Sequence, residues 1–142
     1  MNSIVTNALS GLNAARKRLE VSAANVANVD SDGALPGSDG APNAPQPYTP
    51  LRVEQLPLPA GGTFATVVPV DPRLVRRYAP NSPGANAAGI VASPNVDLAG
   101  EAVNQLAATQ AYKANLHVLK VAQDLQEESV AMLGRTRHDL SA

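Results

Sequence analysis

The sequence predicts a mainly α-helical protein with a small β element, in which long N- and C-terminal helices pair as an α-helical coiled coil. All 12 prolines lie between Pro36 and Pro94, and proline breaks helix interiors. Both proline-free ends carry apolar residues at heptad spacing, as coiled-coil helices do. We therefore divide the chain into an N-terminal helix with an asparagine motif (1–30), a proline- and glycine-rich linker with a small irregular β region (31–93), and a C-terminal helix with a polar tail (94–142).

The N-terminal helix is predicted over about residues 3–28, a length of about 39 Å at 1.5 Å per residue. Its large apolar residues recur every seven positions, and small residues three positions further on complete a stripe that favours close helix packing. The large residues of this helix seam are Val5, Leu12, Leu19 and Val26. The small residues are Ala8, Ala15 and Ser22.

The C-terminal helix shows the same pattern. Its part of the helix seam is a row of Ala111, Val118, Leu125 and Met132, accompanied by Ala107, Ala114 and Val121. Glu128 interrupts the seam, which predicts weaker packing towards the C-terminus. Asp97 is the predicted N-cap. Gly134 is the predicted helix end, followed by the polar tail RTRHDLSA.

The middle of the chain alternates β-branched runs with glycine- and proline-containing turns, a pattern typical of short strands. The predicted strands are Tyr48–Leu56, Thr63–Val70, Arg73–Tyr78 and Gly89–Ala92. Residues 33–47 contain too much proline and glycine for a helix and are predicted to form an extended linker.

Composition narrows the possible functions. The net charge of −1 offers no field that would attract nucleic acid, and no apolar run is long enough for direct membrane insertion. The N-terminus lacks the features of a secretory signal peptide. Zero cysteines exclude disulfides and thiolate metal sites. Alanine supplies much of the apolar content and only four residues are aromatic, so the core is thin and partner subunits are expected to supply further burial.

One alternative interpretation takes Asn28–Asp39 as the loop of a small calcium-binding or adaptor module. Its alternating oxygen ligands and its glycine are Asn28, Asp30, Asp32 and Gly33. An EF-hand loop requires a bidentate Glu at position twelve and a helix after it. Asp39 is shorter than Glu, and Pro42 begins a proline-rich stretch that leaves no room for a helix. The pattern favours a polar turn after a helix.

No constellation of residues indicates catalysis. His117 and His138 are 21 positions apart and have no local partners at metal-ligand spacing. No nucleophile elbow or phosphate-binding glycine loop is present. Arg73, Arg76 and Arg77 form a basic cluster, which in a neutral chain is more typical of a solvated or interface patch than of nucleic-acid binding. We expect no enzyme activity, no cofactor and no metal site.

Two stretches resemble flagellar basal-body rod proteins. SAANVANVDS (22–31) is similar to the N-terminal signature of that family, with two asparagines three positions apart at the end of a long helix. GIVASPNVDLAGEAVNQLAATQAYKANLHVLKVAQDL (89–125) resembles the C-terminal stretch of the proximal-rod member. PYTPLRVEQL and GGTFATVVPVDP fit the short middle region, so the resemblance covers nearly the whole chain.

The resemblance implies an assembly motif at matching positions. Its residues are Asn25, Asn28, Pro94, Asn95, Asp97, Asn104, Tyr112 and Asn115. The chain departs from the family pattern at Ala102, where methionine is usual, at Lys113, where an acidic residue is usual, and by its extended C-terminus. The resemblance is closest to the short proximal-rod subunit, with another short rod or hook-type axial subunit as the alternative.

The resemblance also implies a function. Such proteins are structural subunits that polymerise with copies of themselves and with other flagellar rod subunits into a drive shaft in the periplasm. They leave the cell through the flagellar export apparatus without a cleaved signal peptide. The expected location is therefore the rod of the bacterial flagellum basal body.

Overall fold

The structure is a computed structural model that describes residues 2–37 and 43–139. Within these residues the chain forms one helix, then four strands that form two antiparallel pairs, then a second helix. The elements are α1 (Asn2–Ala27), β1 (Leu51–Pro57), β2 (Thr63–Pro69), β3 (Leu74–Tyr78), β4 (Ile90–Pro94) and α2 (Leu98–Asp139). The prediction of two long terminal helices with a small β element between them is confirmed.

The two helices differ in length. α1 has 26 residues and α2 has 42, which correspond to about 39 Å and about 63 Å. The predicted end of the second helix at Gly134 is wrong, because α2 continues through this residue to Asp139. A glycine inside a helix costs only about 1 kcal/mol relative to alanine, and no proline follows it to stop the helix.

The helices pack antiparallel. Gly11, in the first half of α1, lies against Asn115, and Asn25, near its end, contacts Glu101 in the first turn of α2. The buried apolar residues of the pair are small, namely Ala8, Ala14, Ala15, Ala108 and Ala122. Because alanine buries little area, the pair gains more from close approach of the backbones than from large side chains.

Strands β1 and β2 form an antiparallel hairpin that packs against α1. Gly61 and Gly62 have φ angles of 88° and 86° at its turn, a conformation that glycine adopts without steric cost. The turn is fixed to the helix, because the amide of Thr63 donates a hydrogen bond to Ser10 Oγ at 3.1 Å. The hairpin therefore has a defined position relative to α1.

Strands β3 and β4 form a second antiparallel pair. Gly33 extends this pair through an isolated bridge to Ala92, so the chain after α1 is held against β4. Four consecutive residues of β4, from Val91 to Pro94, are buried. This strand leads directly into the first turn of α2, and the segment after α1 and the start of α2 are thus connected through one buried strand.

Candidate assembly site

Asn25 forms more hydrogen bonds than any other described side chain of the predicted assembly motif. It is 1% exposed. Its Nδ2 donates to the carbonyl of Leu51 at 2.7 Å and to Glu101 Oε1 at 2.6 Å. Its Oδ1 accepts from the amide of Leu51 at 3.0 Å and from the Tyr48 hydroxyl at 3.1 Å. Both amide hydrogens and both oxygen lone pairs are used, as a buried amide requires.

These bonds make Asn25 the junction of three segments, which we call the Asn25 junction: the end of α1, the start of β1 and the first turn of α2. Ser22, one turn earlier on α1, adds a hydrogen bond from its Oγ to the Glu101 carbonyl at 3.3 Å. Burial, and secondarily the negative charge of Glu101, raise the pKa of Tyr48 above its ordinary value of 10.0. The phenol therefore remains a donor to Asn25 throughout the neutral range.

Asn28 ends α1. Its Nδ2 donates to the Ala24 carbonyl at 2.9 Å, and its Oδ1 accepts from the Ser31 hydroxyl at 3.1 Å. The same carbonyl also accepts from the backbone amide of Asn28 at 3.1 Å, so the side chain adds a second hydrogen bond at the end of the helix. The two asparagines of the N-terminal signature therefore make different contacts. Asn25 binds residues of β1 and α2, whereas Asn28 forms hydrogen bonds at the end of its own helix.

The acidic residues after Asn28 contact an arginine of the same chain. Asp30 and Asp32 both form ion pairs with the guanidinium of Arg77 on β3. The hydrogen bond to Asp32 is the main cause of a raised pKa of Arg77, with the charges of Asp32 and Asp30 contributing. The twelfth position of the proposed calcium loop, Asp39, lies outside the described residues. Within the described ranges, no group of three or more His, Cys, Asp or Glu side chains is suited to a metal ion.

The PNVD stretch forms the entry to α2. Pro94 is buried at the end of β4. Asn95 donates two hydrogen bonds: its side-chain Nδ2 to the Pro72 carbonyl at 2.8 Å, and its backbone amide to the Arg73 carbonyl at 3.0 Å. Asp97 Oδ1 accepts from the amide of Ala99 at 3.0 Å, the bond expected of an N-cap. This stretch therefore fixes where α2 begins and how it leaves the strand pair.

Asn115 lies at the closest approach of the two helices. A Cβ added to Gly11 would lie 2.6 Å from Cγ of Asn115, so any larger residue at position 11 would require this side chain to move. Asn115 Nδ2 donates to the Ala111 carbonyl of its own helix at 2.8 Å. The asparagine thus makes a hydrogen bond within α2 while it packs against the backbone of α1 at Gly11.

Two family models match the chain. The model described as flagella basal body rod protein matches residues 6–34. The model described as flagellar basal body rod FlgEFG protein C-terminal matches residues 87–132. The first range covers most of α1 with Asn25 and Asn28, and the second covers β4 and most of α2.

Known relatives match over most of the chain. The flagellar basal-body rod protein FlgC of Yersinia enterocolitica is 36% identical over 126 residues, which is 87% of this chain and 90% of the relative. The FlgC of Salmonella typhimurium is 34% identical over 125 residues, with the same shares. The FlgC of Agrobacterium fabrum is 32% identical over 130 residues, or 87% of this chain and 88% of the relative. The chain belongs to the flagellar basal-body rod protein family.

The resemblance noted in the sequence is confirmed by these relatives, and so is the interpretation of the chain as a structural rod protein. Its place is the basal body, and the relatives are structural proteins rather than enzymes. Along the part of this rod protein that the structure describes, neither helix combines the length and apolar character needed to cross a bilayer.

The remaining motif residues of the rod protein lie on its surface. Asn104 is exposed, and Tyr112 is 38% exposed. Neither contributes to the Asn25 junction. The structure brings together Asn25 and the PNVD region at one end of the helix pair, with Asn115 along the seam between the helices, and it leaves Asn104 and Tyr112 without a buried environment.

The predicted helix seam divides into covered and uncovered parts. On α1 the small row of Ala8, Ala15 and Ser22 is buried, and the large row of Val5, Leu12 and Leu19 is half-buried, with Val26 exposed. On α2 the residues turned towards α1 are Glu101, Ala108, Asn115 and Ala122, seven positions apart. The predicted α2 row lies beside this face: Ala111 is half-buried, whereas Val118 and Leu125 are exposed.

The partners of Asn25 are not evident from the sequence. The sequence predicts Tyr48 only as the start of a strand and places Glu101 only in the C-terminal stretch. Two features of the sequence hint at the contact. Small and polar residues (SAAN, 22–25) lie near the end of the first helix, and an acidic residue, Glu101, lies one turn after the predicted N-cap Asp97. They do not identify the partners by themselves, because the contact joins residues 76 positions apart.

An open groove lies next to the Asn25 junction, between α1, the start of β1 and the first turns of α2. Its volume is about 550 Å³, and its lining includes Arg18, Val21, Arg52, Val53, Gly100 and Asn104. We call it the junction groove. It contains the exposed motif residue Asn104, and it combines apolar walls with charged side chains of both signs, since Asp97 and Glu101 line it together with the arginines.

Proposed function

We propose that the chain is a structural subunit of the proximal rod, and that it polymerises with copies of itself and with other rod subunits into the drive shaft that transmits torque. The observation that carries this proposal is the solvent exposure of an apolar row on α2. Val118, Leu125 and Met132 are 44%, 53% and 59% exposed, and they follow one another at intervals of seven residues. Such a row is the contact surface of a helix that packs against another helix.

In the proposed assembly the helix seam forms two kinds of contact, one within a subunit and one between subunits. Its small residues on α1 hold the two helices of one subunit together as an α-helical coiled coil, and its large residues contact helices of neighbouring subunits. Torque transmission requires no chemistry, only many contacts that resist sliding. Densely packed interfaces are stiff because protein interiors have low compressibility.

The residues of the proposed assembly motif likewise fall into two groups, one acting within the subunit and one available for contacts with neighbours. Asn25, Asn28, Pro94, Asn95 and Asp97 fix the relative position of α1, the β region and α2 within one subunit. Asn104 and Tyr112 are available to neighbours, and Asn115 sets the spacing of the helix pair. Export through the flagellar export apparatus without a cleaved signal peptide remains part of the proposal, as does the division of the chain at about residues 30 and 93.

The proposal is tested by placing a charge in the seam. Val118→Asp puts a carboxylate in the surface that we assign to subunit contacts, where a buried, unpaired charge is strongly unfavourable. We expect cells with this variant as the sole copy to be non-motile and their basal bodies to lack the protein. His117→Asp, at an adjacent exposed position, is the matched control and should leave motility unchanged. A motile Val118→Asp strain would contradict the proposal.

A second test uses the purified protein. Long helices without partners are marginal in water, so helicity measured by circular dichroism should rise with protein concentration and should be unaffected by millimolar calcium. Full helicity with a sharp melting transition in dilute solution would contradict the requirement for partners. A helicity increase on calcium addition in dilute solution would instead support the calcium-loop alternative.

A further inference from the structure

Strand β3 has an open edge. β4 lies between β3 on one side and the bridging residue Gly33 on the other. The amide and the carbonyl of Ala92 on β4 are both bonded to Gly33, each at 2.9 Å, so they point away from β3. In an antiparallel pair, residues that face each other alternate between bonded and non-bonded pairs. Ala92 and its partner Arg76 are therefore a non-bonded pair, and the backbone groups of Arg76 point away from β4.

Two further hydrogen bonds give the same register. The amide of Asn95 donates to the carbonyl of Arg73 at 3.0 Å, and the amide of Ala79 donates to the carbonyl of Gly89 at 2.9 Å. Both bonds mark bonded positions at the ends of the pair, so the even-numbered residues between them are non-bonded. The residues whose amides and carbonyls point outward are Leu74, Arg76 and Tyr78. Among the described residues, none is bonded to these outward groups.

An edge of this kind fits an extended polypeptide segment. Unpaired amides and carbonyls that alternate along a strand are the groups to which a further strand bonds. Natural sheets often block such edges with proline, with a bulge or with an element laid over them. β3 contains no proline, pairs with β4 without a bulge and, among the described helices and strands, contacts only β4. Tyr78 is 70% exposed, so an aromatic side chain also lies open beside the edge.

The charge on the edge limits which strand fits. Arg76 forms no ion pair with the described residues. Arg77 points to the opposite face of the strand, where Asp30 and Asp32 bind it, and Asp71 precedes the strand. A strand with a carboxylate opposite Arg76 therefore gains a favourable cross-strand pair. β3 of a second copy, in the register with the greatest overlap, would instead place two arginines opposite each other, which is unfavourable.

The other strands of a second copy are also unsuitable. Within the described residues, the only carboxylate on a strand is that of Glu54 on β1. Glu54 already forms an ion pair with Arg52 at 2.6 Å. Its backbone groups are directed to β2, because those of Leu51, three positions earlier, are bonded to Asn25 on the other side of β1. The strand that completes the edge therefore belongs to a different protein.

We propose that the open edge of β3 receives an extended segment of a different rod subunit, which adds as a further strand and carries a carboxylate opposite Arg76. This inference rests on the proposed function and adds a contact surface in the β region, apart from the helices. The backbone hydrogen bonds hold the segment in place. Arg76 favours an acidic segment and disfavours pairing of β3 with its own copy.

Hydrogen exchange measures the added strand directly. In the purified subunit the amides of Val75 and Arg77 are bonded to β4 and should be protected, whereas those of Arg76 and Tyr78 should exchange freely. In isolated basal bodies we expect all four amides to be protected, with exchange at Arg76 and Tyr78 slowed on the order of tenfold or more. Basal bodies that contain the protein but keep the alternating pattern would overturn the inference and leave the proposed function intact.

A pair of variants separates the backbone bond from the charge. Arg76→Pro and Arg76→Thr both remove the charge, but only proline removes the outward amide, which β4 does not use. With each variant as the sole copy, we expect Arg76→Pro to lower the amount of the protein in basal bodies on the order of tenfold relative to Arg76→Thr. Protected amides of Val75 and Arg77 in each purified variant establish that the strand pair still forms. Equal incorporation of the two variants would overturn the strand addition.

A photo-cross-link identifies the added segment. Tyr78 is replaced by a photoreactive phenylalanine in flagellated cells, the cells are irradiated, and the adduct in isolated basal bodies is sequenced. We expect an adduct with a different rod subunit, in a segment that contains an aspartate or glutamate. The same replacement at Phe64 on β2, which is 58% exposed, is the control and should not give this adduct. An adduct at twice 14.6 kDa, an adduct in a segment without a carboxylate, or no adduct would each overturn the proposed occupant.

Discussion

Gly11 and Asn115 lie against each other where the two helices come closest, and the space between them holds no further methyl group. Gly11→Ala removes the conformational freedom of a helical glycine, a change worth about 1 kcal/mol in favour of folding at an unhindered site. Here the added Cβ overlaps the Asn115 side chain. We expect a net loss of about 2 kcal/mol in the free energy of unfolding, since overpacking typically costs 1–3 kcal/mol.

The measurement is urea unfolding at a protein concentration where helicity has reached its plateau. Asn13→Ala, at an exposed position on the same helix, is the control and should change the free energy of unfolding by less than about 0.5 kcal/mol. Gly11→Ala combined with Asn115→Ala should recover most of the loss, because the second change vacates the space. A stabilised Gly11→Ala variant would disprove the close contact.

Asn25→Ala should be more damaging than Asn28→Ala. The first removes four hydrogen bonds and leaves the carboxylate of Glu101 and the amide of Leu51 without their partner, for which we expect a loss of about 3 kcal/mol. The second removes bonds near the surface and should cost about 1 kcal/mol. Equal losses in urea unfolding would show that the Asn25 junction does not hold the three segments together.

Tyr48→Phe should have an effect that depends on pH. The pKa of Tyr48 is raised in the folded protein, so the unfolded chain loses this proton first as the pH increases. Stability from this group is therefore fully present below about pH 10 and is lost as the pH rises through the folded pKa. Tyr48→Phe should cost about 1 kcal/mol at pH 8 and less above pH 10, measured as the difference in unfolding free energy between wild type and variant. A difference that does not change with pH would contradict this assignment.

Asp97→Ala should destabilise the start of α2 by about 1 kcal/mol, because the amide of Ala99 loses its acceptor. Asp97→Asn should retain most of the stability, since asparagine is an equally good N-cap. The readout is the hydrogen-exchange protection of the first turn of α2, with global unfolding as the reference. Similar protection in both variants would show that the cap contributes nothing.

The sequence was sufficient to predict both helices, the β region between them and the family. The proline distribution and the heptad spacing depend only on residues that are close in sequence, so they can be recognised in a single sequence. The small row of Ala8, Ala15 and Ser22 was found for this reason and is buried against α2. The helix end at Gly134 was wrong because glycine is a weak helix terminator when nothing after it opposes the helix.

The parts that could not be predicted are contacts between distant segments. Asn25 meets Glu101 only because the four strands and the turns between them bring the start of α2 back to the end of α1. Arg77 meets Asp30 and Asp32 because β3 lies beside the bridge from Gly33 to Ala92. Heptad spacing also did not determine which flank of α2 faces α1, since the apolar row and the row of Ala108, Asn115 and Ala122 have the same period.

The Asn25 junction has a consequence for the order in which the fold can be completed. Its members are spread over 77 positions, from Asn25 to Glu101. A chain that emerges N-terminus first, from a ribosome or from a channel, exposes α1 long before the residues that cover it. Until the final third of the chain has appeared, the first helix can pack only against the β1–β2 hairpin, and the C-terminal segment is what completes the tertiary structure.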